Sequence, residues 1–80
     1  MIVIYGGHNC GWCVRAKELA QKYELGYVYK EASEFKEEFR NKFPDAKTVP
    51  QILWHGKHIG GYEEFEKEIE NTRSYGDGQV

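Results

Sequence analysis

The chain has 80 residues, of which 40% are apolar and 15% aromatic, enough for one compact domain with a single modest core. Its 13 acidic and 11 basic side chains are interspersed and leave a formal net charge of −2. A nucleic-acid surface needs clustered basic residues, so this distribution argues against such a partner and favours proteins or small molecules. No apolar run in the sequence is long enough to span a membrane.

The first predicted element is a strand at Ile2–Tyr5, a continuous apolar run that ends at two glycines. The run lacks the basic leader and the cleavage site of a signal peptide, so we expect a buried strand and a cytoplasmic protein. Because structural disulfides are rare in a reducing cytosol, the two cysteines of the chain need another explanation.

A helix follows the first strand. Small and apolar residues recur at spacings of three and four from Cys13 to Tyr23, while charged residues take the other face. We expect Asn9 to cap this helix and Gly26 to end it. The next segment, Tyr27–Tyr29, is predicted to be a second strand.

Phenylalanines recur every four positions near the middle of the chain and predict a second amphipathic helix, which Pro44 ends. Two further strands, at Gln51–Trp54 and His58–Ile59, are close enough to form a hairpin. A third helix is predicted from an apolar stripe that starts at Tyr62, and residues 72–80 are expected to form a frayed polar tail. The two stripes consist of Phe35, Phe39 and Phe43, and of Tyr62, Phe65 and Ile69.

The predicted order of elements is β-α-β-α-β-β-α, which defines an α/β domain. Its first half is a βαβ unit, whose strands are parallel and joined by a right-handed crossover. Its second half adds an antiparallel hairpin and a covering helix. We therefore predict one domain over residues 1–71, with a central four-stranded mixed sheet flanked by three helices, and a tail over residues 72–80.

The strongest chemical signal is the Cys10-Gly11-Trp12-Cys13 sequence between the first strand and the first helix. Two intervening residues at the start of a helix bring both sulfurs to one face, within bonding reach of each other. Cys10 lies at the helix N-terminus, where unpaired N–H groups and the helix dipole favour a thiolate, and Cys13 lies one turn inside. This asymmetry suits thiol–disulfide exchange, in which one sulfur attacks and the other resolves the mixed disulfide.

A Cys-x-x-Cys pair can instead be half of a zinc site, which needs two further ligands. His55 and His58 lie in the predicted hairpin and are available for this purpose, so zinc stays an alternative at this point. The strand–Cys-x-x-Cys–helix context favours redox chemistry, and we assign no metal ligand.

Two further segments have both a structural and a functional explanation. Thr48-Val49-Pro50 marks a strand boundary, and a cis Val49–Pro50 bond is predicted there. A cis bond would present the N–H and C=O of Val49 to an extended substrate lying across the cysteines. Gly60-Gly61 forms a tight turn before the third helix and allows a ligand to approach the backbone and the helix N-terminus closely.

Together these motifs resemble those of dithiol glutaredoxins, especially the short bacterial and phage type, in the same order and spacing. The resemblance covers roughly residues 1–70 and rests on Cys10–Lys17, Thr48–Ile52 and His58–Tyr62. It implies a thioredoxin fold and a glutathione-dependent thiol–disulfide oxidoreductase. Such an enzyme reduces protein disulfides, including that of ribonucleotide reductase, and glutathione mixed disulfides.

The resemblance also implies roles for single residues. Cys10 is the expected nucleophile and Cys13 the expected resolving thiol. Gly11 stands where the family usually has proline, and Glu63-Glu64 stands where it usually has Ser/Thr-Asp. The residues expected to bind glutathione are Trp12, Thr48, Val49, Pro50, Gly61, Tyr62, Glu63 and Glu64.

The resemblance implies glutathione as a co-substrate and no permanent cofactor. We expect a monomer, and the charge distribution and hydropathy described above make neither nucleic acid nor a membrane an expected partner. Two alternatives stay open. One is a glutaredoxin-like carrier that thioredoxin reductase reduces and that serves ribonucleotide reductase. The other is a binding module in which two chains hold an iron–sulfur cluster through Cys10 and two glutathione molecules.

Overall fold

The computed structural model describes residues 2–77, with side chains over residues 2–71. The β-α-β-α-β-β-α order predicted from the sequence is confirmed. Within the described range, no helix is both long enough and apolar enough to cross a membrane. The elements are strands β1 (Ile2–Gly6), β2 (Tyr27–Glu31), β3 (Gln51–Trp54) and β4 (Lys57–Gly60), and helices α1 (Gly11–Lys22), α2 (Lys36–Lys42) and α3 (Tyr62–Asp77).

The strands form one mixed sheet in the order β2-β1-β3-β4. Strand β1 runs parallel to β2 and antiparallel to β3, and β3 and β4 form the predicted antiparallel hairpin. The register of the β1–β3 pair sets Tyr5 opposite Gln51, so the end of β1 and the start of β3 lie at the same end of the sheet. The predicted four-stranded mixed sheet with three helices is therefore confirmed.

The core lies between the sheet and two helices, α1 and α3. Alternate side chains of β1 point to this face, and the helices close it with residues spaced three and four apart. Each large apolar side chain buried there contributes about 1.5–3 kcal/mol by leaving water. The cluster consists of Ile2, Ile4, Ala16, Leu19, Ala20, Ile52, Phe65 and Ile69.

The other face of β1 packs against α2 and centres on Tyr5. The Tyr5 ring meets Phe39 and Phe43 edge-on, with ring centroids 6.0 and 5.2 Å away. Its hydroxyl donates to the carboxylate of Glu38, which also pairs with Lys30 at 2.7 Å. Burial, reinforced by Glu38, raises the pKa of the Tyr5 phenol well above its ordinary value. The hydrogen bond from Lys30 is the main cause that lowers the pKa of Glu38, and the hydrogen bond from Tyr5 is the next.

Helix α1 is capped by residues other than those predicted. Asn9 has a left-handed φ of 51° and precedes the cap, and Cys10 is the N-cap, with an extended backbone and a sulfur that accepts the N–H of Cys13. At its C-terminus the helix stops before Gly26, because Glu24 adopts a φ of 55°. The N–H of Glu24 and that of the next residue then donate to carbonyls of the last turn, at 3.0 and 2.8 Å.

The hairpin and the third helix are longer than predicted. His55 and Gly56 both have positive φ and form a two-residue turn, so β4 already begins at Lys57. Helix α3 continues to Asp77, where a frayed tail is expected from the sequence. Residues 78–80 lie outside the described range.

Helix α2 buries its aromatic stripe only in part. Phe43, its C-cap, is 2% exposed, because the ring packs beneath β1 against Tyr5. Phe35, its N-cap, is 37% exposed, and its ring lies 5.1 Å from the Lys30 ammonium. The four-residue period therefore predicts the helix correctly but not the burial of its first member.

The contact between Gly6, the last residue of β1, and the Tyr29 ring of β2 can be tested by substitution. A Cβ at this position would overlap the phenol of Tyr29 on β2, so Gly6→Ala must displace that ring. We expect the free energy of unfolding, measured in urea, to fall by about 1–3 kcal/mol, the usual cost of overpacking. Gly26→Ala is the matched control and should not lose stability, because nothing lies within 4 Å of a Cβ there. Equal losses in both variants would contradict the close packing at Gly6.

Candidate active site

The Cys10–Cys13 pair lies where α1 begins, and the two sulfurs are joined in a disulfide. Their Cα atoms are 5.2 Å apart, a normal separation for bridged cysteines. Cys13 is fully buried in the first turn of α1, whereas Cys10 is partly exposed at the helix N-terminus. Of the two sulfurs, that of Cys10 is therefore the one that a substrate can reach.

The N-terminus of α1 is electrostatically suited to a negative sulfur at Cys10. This sulfur accepts a hydrogen bond from the Cys13 N–H at 3.2 Å, and the first turn of the helix contains no acidic residue. When the disulfide is reduced, this N–H and the positive end of the helix dipole stabilise a thiolate at Cys10. A charged sulfur at Cys13 would instead lose its hydration, because that site is buried.

The Thr48-Val49-Pro50 segment faces the cysteines from the start of β3. The Val49–Pro50 peptide bond is cis, which confirms the prediction from the sequence. The carbonyl oxygen of Val49 lies 3.9 Å from the Cys10 sulfur. An extended, peptide-like group joined to Cys10 would thus lie alongside the Val49 backbone.

A groove of about 320 Å³ opens beside Cys10 on the β3 side of the sheet, and we call it the β3-side groove. Three segments converge on it: the first turn of α1, the loop before β3 and the start of α3. Trp12 is 51% exposed, and its ring lies against that of Tyr62, with centroids 5.4 Å apart. The lining consists of all eight residues expected to bind glutathione: Trp12, Thr48, Val49, Pro50, Gly61, Tyr62, Glu63 and Glu64.

The start of α3 forms one wall of this groove, and Glu64 caps the helix there. The carbonyl of Gly61 accepts the N–H of Phe65 at 3.0 Å, which makes Gly61 the N-cap of the helix. The carboxylate of Glu64 reaches back and accepts the Gly61 N–H, also at 3.0 Å, as one half of a capping box. Both glutamates are exposed, and one carboxylate oxygen of Glu64 is engaged by the start of its own helix.

Arg15 lies beside the β3-side groove, although none of the motifs points to a role for it. Its guanidinium carbon is 4.8 Å from the centroid of the Trp12 ring. The contact could have been predicted, because residues three apart on a helix are neighbours. Stacking of this kind covers one face of Trp12 and brings a positive charge to the rim of the groove.

A second cavity, of about 480 Å³, lies on the other side of Cys10, and we call it the β2-side cavity. Within it, the Lys17 ammonium lies 4.4 Å from the Tyr29 ring centroid, and His8 Nε2 lies 3.7 Å from a carboxylate oxygen of Glu31. Burial, followed by the Glu31 carboxylate, raises the pKa of the Tyr29 phenol. The cavity is lined by Gly7, His8, Asn9, Cys10, Gly11, Val14, Lys17, Tyr29 and Glu31.

The two hairpin histidines, His55 and His58, contact other side chains rather than the cysteines. The His55 ring stacks on Trp54, with centroids 6.0 Å apart, and His58 Nε2 lies 2.7 Å from the Gln51 amide oxygen. Among the described side chains, no three or more His, Cys, Asp or Glu residues come together as a metal-binding group. In this part of the chain the histidines do not complete a zinc site with the cysteines.

Comparison with known proteins agrees with this geometry. The glutaredoxin family model matches residues 2–59. Glutaredoxin 1 of Escherichia coli is 40% identical over 72 residues, which cover 79% of this chain and 85% of that protein. The structure of reduced Escherichia coli glutaredoxin matches with a TM-score of 0.77 and 34% identity, over 91% of this chain and 96% of that one. A buckwheat glutaredoxin in complex with glutathione shares the fold, with a TM-score of 0.75 and 23% identity, over 90% of this chain and 70% of that one.

The match to the family model covers more than half of the chain, and the relative from Escherichia coli aligns over most of it. The sheet order and the three helices are those of the thioredoxin fold that these proteins share. The disulfide between Cys10 and Cys13 supplies the redox pair that such chemistry requires. The chain therefore belongs to the glutaredoxin family of thiol–disulfide oxidoreductases.

Proposed function

We propose that this protein is a glutathione:disulfide oxidoreductase, which uses glutathione to reduce protein disulfides and removes glutathione from mixed disulfides. The observation that carries the proposal is the β3-side groove, where eight residues from three segments converge beside Cys10. Its volume of about 320 Å³ is in the range of small-molecule sites. A tripeptide thiol is a ligand that such a groove can orient toward a reactive sulfur.

The groove offers complementary groups to both ends of a γ-glutamyl-cysteinyl peptide. The N–H and C=O of Val49 can pair with the cysteinyl unit in the manner of an added strand, which brings its sulfur to Cys10. The first N–H groups of α3 suit the γ-glutamyl carboxylate. The exposed carboxylate of Glu63 suits the γ-glutamyl ammonium, since that of Glu64 is already held by Gly61.

Reduction of a protein disulfide begins when the Cys10 thiolate attacks one substrate sulfur. A bond forms between Cys10 and that sulfur, the substrate S–S bond breaks, and the leaving thiolate takes a proton from solvent. Cys13 then gives up its thiol proton as its sulfur attacks the Cys10 sulfur. The internal disulfide forms, the bond between Cys10 and the substrate breaks, and the second substrate thiolate leaves and takes up a proton. Two electrons pass from the enzyme dithiol to the substrate.

Two glutathione molecules restore the dithiol. The first glutathione thiolate attacks the Cys10 sulfur, which leaves a Cys10–glutathione disulfide and a free Cys13 thiol. The second attacks the glutathione sulfur of this adduct and so releases glutathione disulfide and the Cys10 thiolate. The same adduct forms directly when Cys10 attacks the glutathione sulfur of a glutathionylated protein.

The proposal extends to the setting in which the protein works. A monomer in a reducing cytoplasm would meet glutathione as a dissolved co-substrate, and its dithiol would be regenerated after each turnover. The disulfide of ribonucleotide reductase, which the family resemblance suggests, belongs among the protein substrates to be assayed.

The two cysteines are expected to differ in ways that single variants reveal. Brief alkylation of the reduced protein, mapped by mass spectrometry, should label Cys10 first, because Cys13 is fully buried. Cys10→Ser should abolish both activities, since it removes the attacking sulfur. Cys13→Ser should lose the reduction of protein disulfides but keep the removal of glutathione, because a second glutathione resolves the adduct from outside. Labelling of Cys13 before Cys10 would reverse the assignment of roles.

The electron donor is tested by a coupled assay on a small glutathione mixed disulfide. We expect turnover with glutathione and glutathione reductase, because the β3-side groove adjoins the sulfur that glutathione must reach. The parallel assay replaces both reagents with thioredoxin reductase and its reductant. Turnover in that second assay alone would contradict the proposal and favour the carrier that thioredoxin reductase recharges.

A further inference from the structure

Apart from the phenol of Tyr5, Gln51 is the only polar side chain that is buried among residues 2–71, with 8% of its surface exposed. It is the first residue of β3 and follows Pro50 directly. A buried amide needs hydrogen-bond partners at both of its ends, because an unpaired polar group in the core is destabilising. The partners of Gln51 therefore indicate what this residue holds in place.

The two ends of the Gln51 amide bind two different segments. Its Nε2 lies 3.0 Å from the carbonyl oxygen of Thr48 and 3.5 Å from the Thr48 hydroxyl, and its Oε1 lies 2.7 Å from Nε2 of His58 on β4. Because a carbonyl only accepts, Gln51 Nε2 donates to Thr48, and Gln51 Oε1 accepts from His58. The His58 ring is itself packed against Phe43, with centroids 4.4 Å apart.

The hydrogen bonds of Gln51 determine which carbonyl of the loop before β3 faces the cysteines. The carbonyl of Thr48 is turned inward to Gln51, and the next carbonyl, that of Val49, is the one that lies 3.9 Å from the Cys10 sulfur. Without the bond from Gln51, the peptide plane after Thr48 is free to rotate. The N–H of Val49, which lies in the same peptide plane as the Thr48 carbonyl, would then lose its fixed direction.

We propose that Gln51, oriented by His58, is a positioning residue that fixes the Thr48–Val49 backbone in the direction that pairs with a peptide-like disulfide at Cys10. The inference rests on the proposed function, because it takes the Val49 backbone as the surface along which the substrate lies. Gln51 acts through the loop rather than by touching the substrate. Its loss should therefore weaken substrate binding and leave the reactivity of the Cys10 sulfur unchanged.

Matched variants separate this role from simple packing. Gln51→Met keeps the length of the side chain but cannot donate a hydrogen bond to Thr48. Gln51→Glu keeps the oxygen that accepts from His58 but places a second oxygen, instead of an N–H donor, against the Thr48 carbonyl. His58→Phe keeps an aromatic ring without an N–H donor, and His58→Gln supplies a donor again. His55→Phe is the control, because that histidine lies in the same hairpin but stacks on a tryptophan instead.

Each variant is assayed in two arms: a glutathione mixed disulfide with glutathione as reductant, and a cysteine-containing peptide disulfide with dithiothreitol. In both arms we expect KM to rise about three- to tenfold for the two Gln51 variants, the factor that one hydrogen bond corresponds to. His58→Phe should show a smaller rise, which His58→Gln reverses. The rate at which iodoacetamide alkylates reduced Cys10 should not change in any variant, because this small reagent does not use the loop.

Unchanged KM values for Gln51→Met in both arms would overturn the inference and leave Gln51 with a role in the core alone. A joint fall in kcat and in the alkylation rate, with KM unchanged, would also overturn it, because the effect would then lie on the Cys10 sulfur itself. If the wild-type protein turns over only with dithiothreitol, the glutathione proposal fails while the second arm still decides the role of Gln51. His58 is exposed at the surface, so its substitution should not prevent folding. If the Gln51 variants do not fold, the KM values of His58→Phe and His58→Gln therefore still test the inference.

Discussion

The antiparallel register of β1 and β3 is the constraint on which the site depends. It sets Tyr5 opposite Gln51, so the chain leaves β1 at the same end of the sheet where it enters β3. Cys10 follows the first of these ends and Val49 precedes the second, which is why the sulfur and the carbonyl lie 3.9 Å apart. A slip of one residue would turn every buried side chain of β1 to the wrong face, so the packing of the core fixes the register and with it the site.

The sequence predicts the parts of this site that have a local signal. The spacing of Cys10 and Cys13 at a helix start predicts that their sulfurs lie within bonding reach and that the two residues are unequally buried, and the structure shows both. The family resemblance adds the residues around them, and the structure brings all eight to one groove. The order of elements and the mixed sheet follow from short apolar runs for the strands and from apolar periods of three to four residues for the helices, which are clear even in a short chain.

The features that the sequence does not predict depend on backbone angles or on contacts between distant segments. Cys10 rather than Asn9 caps α1, because the left-handed φ of Asn9 moves the cap one residue on. The bonds of Gln51 join the loop before β3 to His58 on β4, and no period in the sequence links these residues. The β2-side cavity likewise forms only because parallel pairing brings the end of β2 beside the loop after β1.

The proposed function requires glutathione joined to Cys10 to occupy the β3-side groove rather than the β2-side cavity. The most direct measurement compares ¹H–¹⁵N spectra of the Cys13→Ser protein with and without glutathione on Cys10. If glutathione lies in the β3-side groove, the largest changes beyond the residues next to Cys10 will fall on groove amides such as that of Val49. Changes concentrated around Tyr29 in the β2-side cavity, with the Val49 amide unmoved, would contradict it.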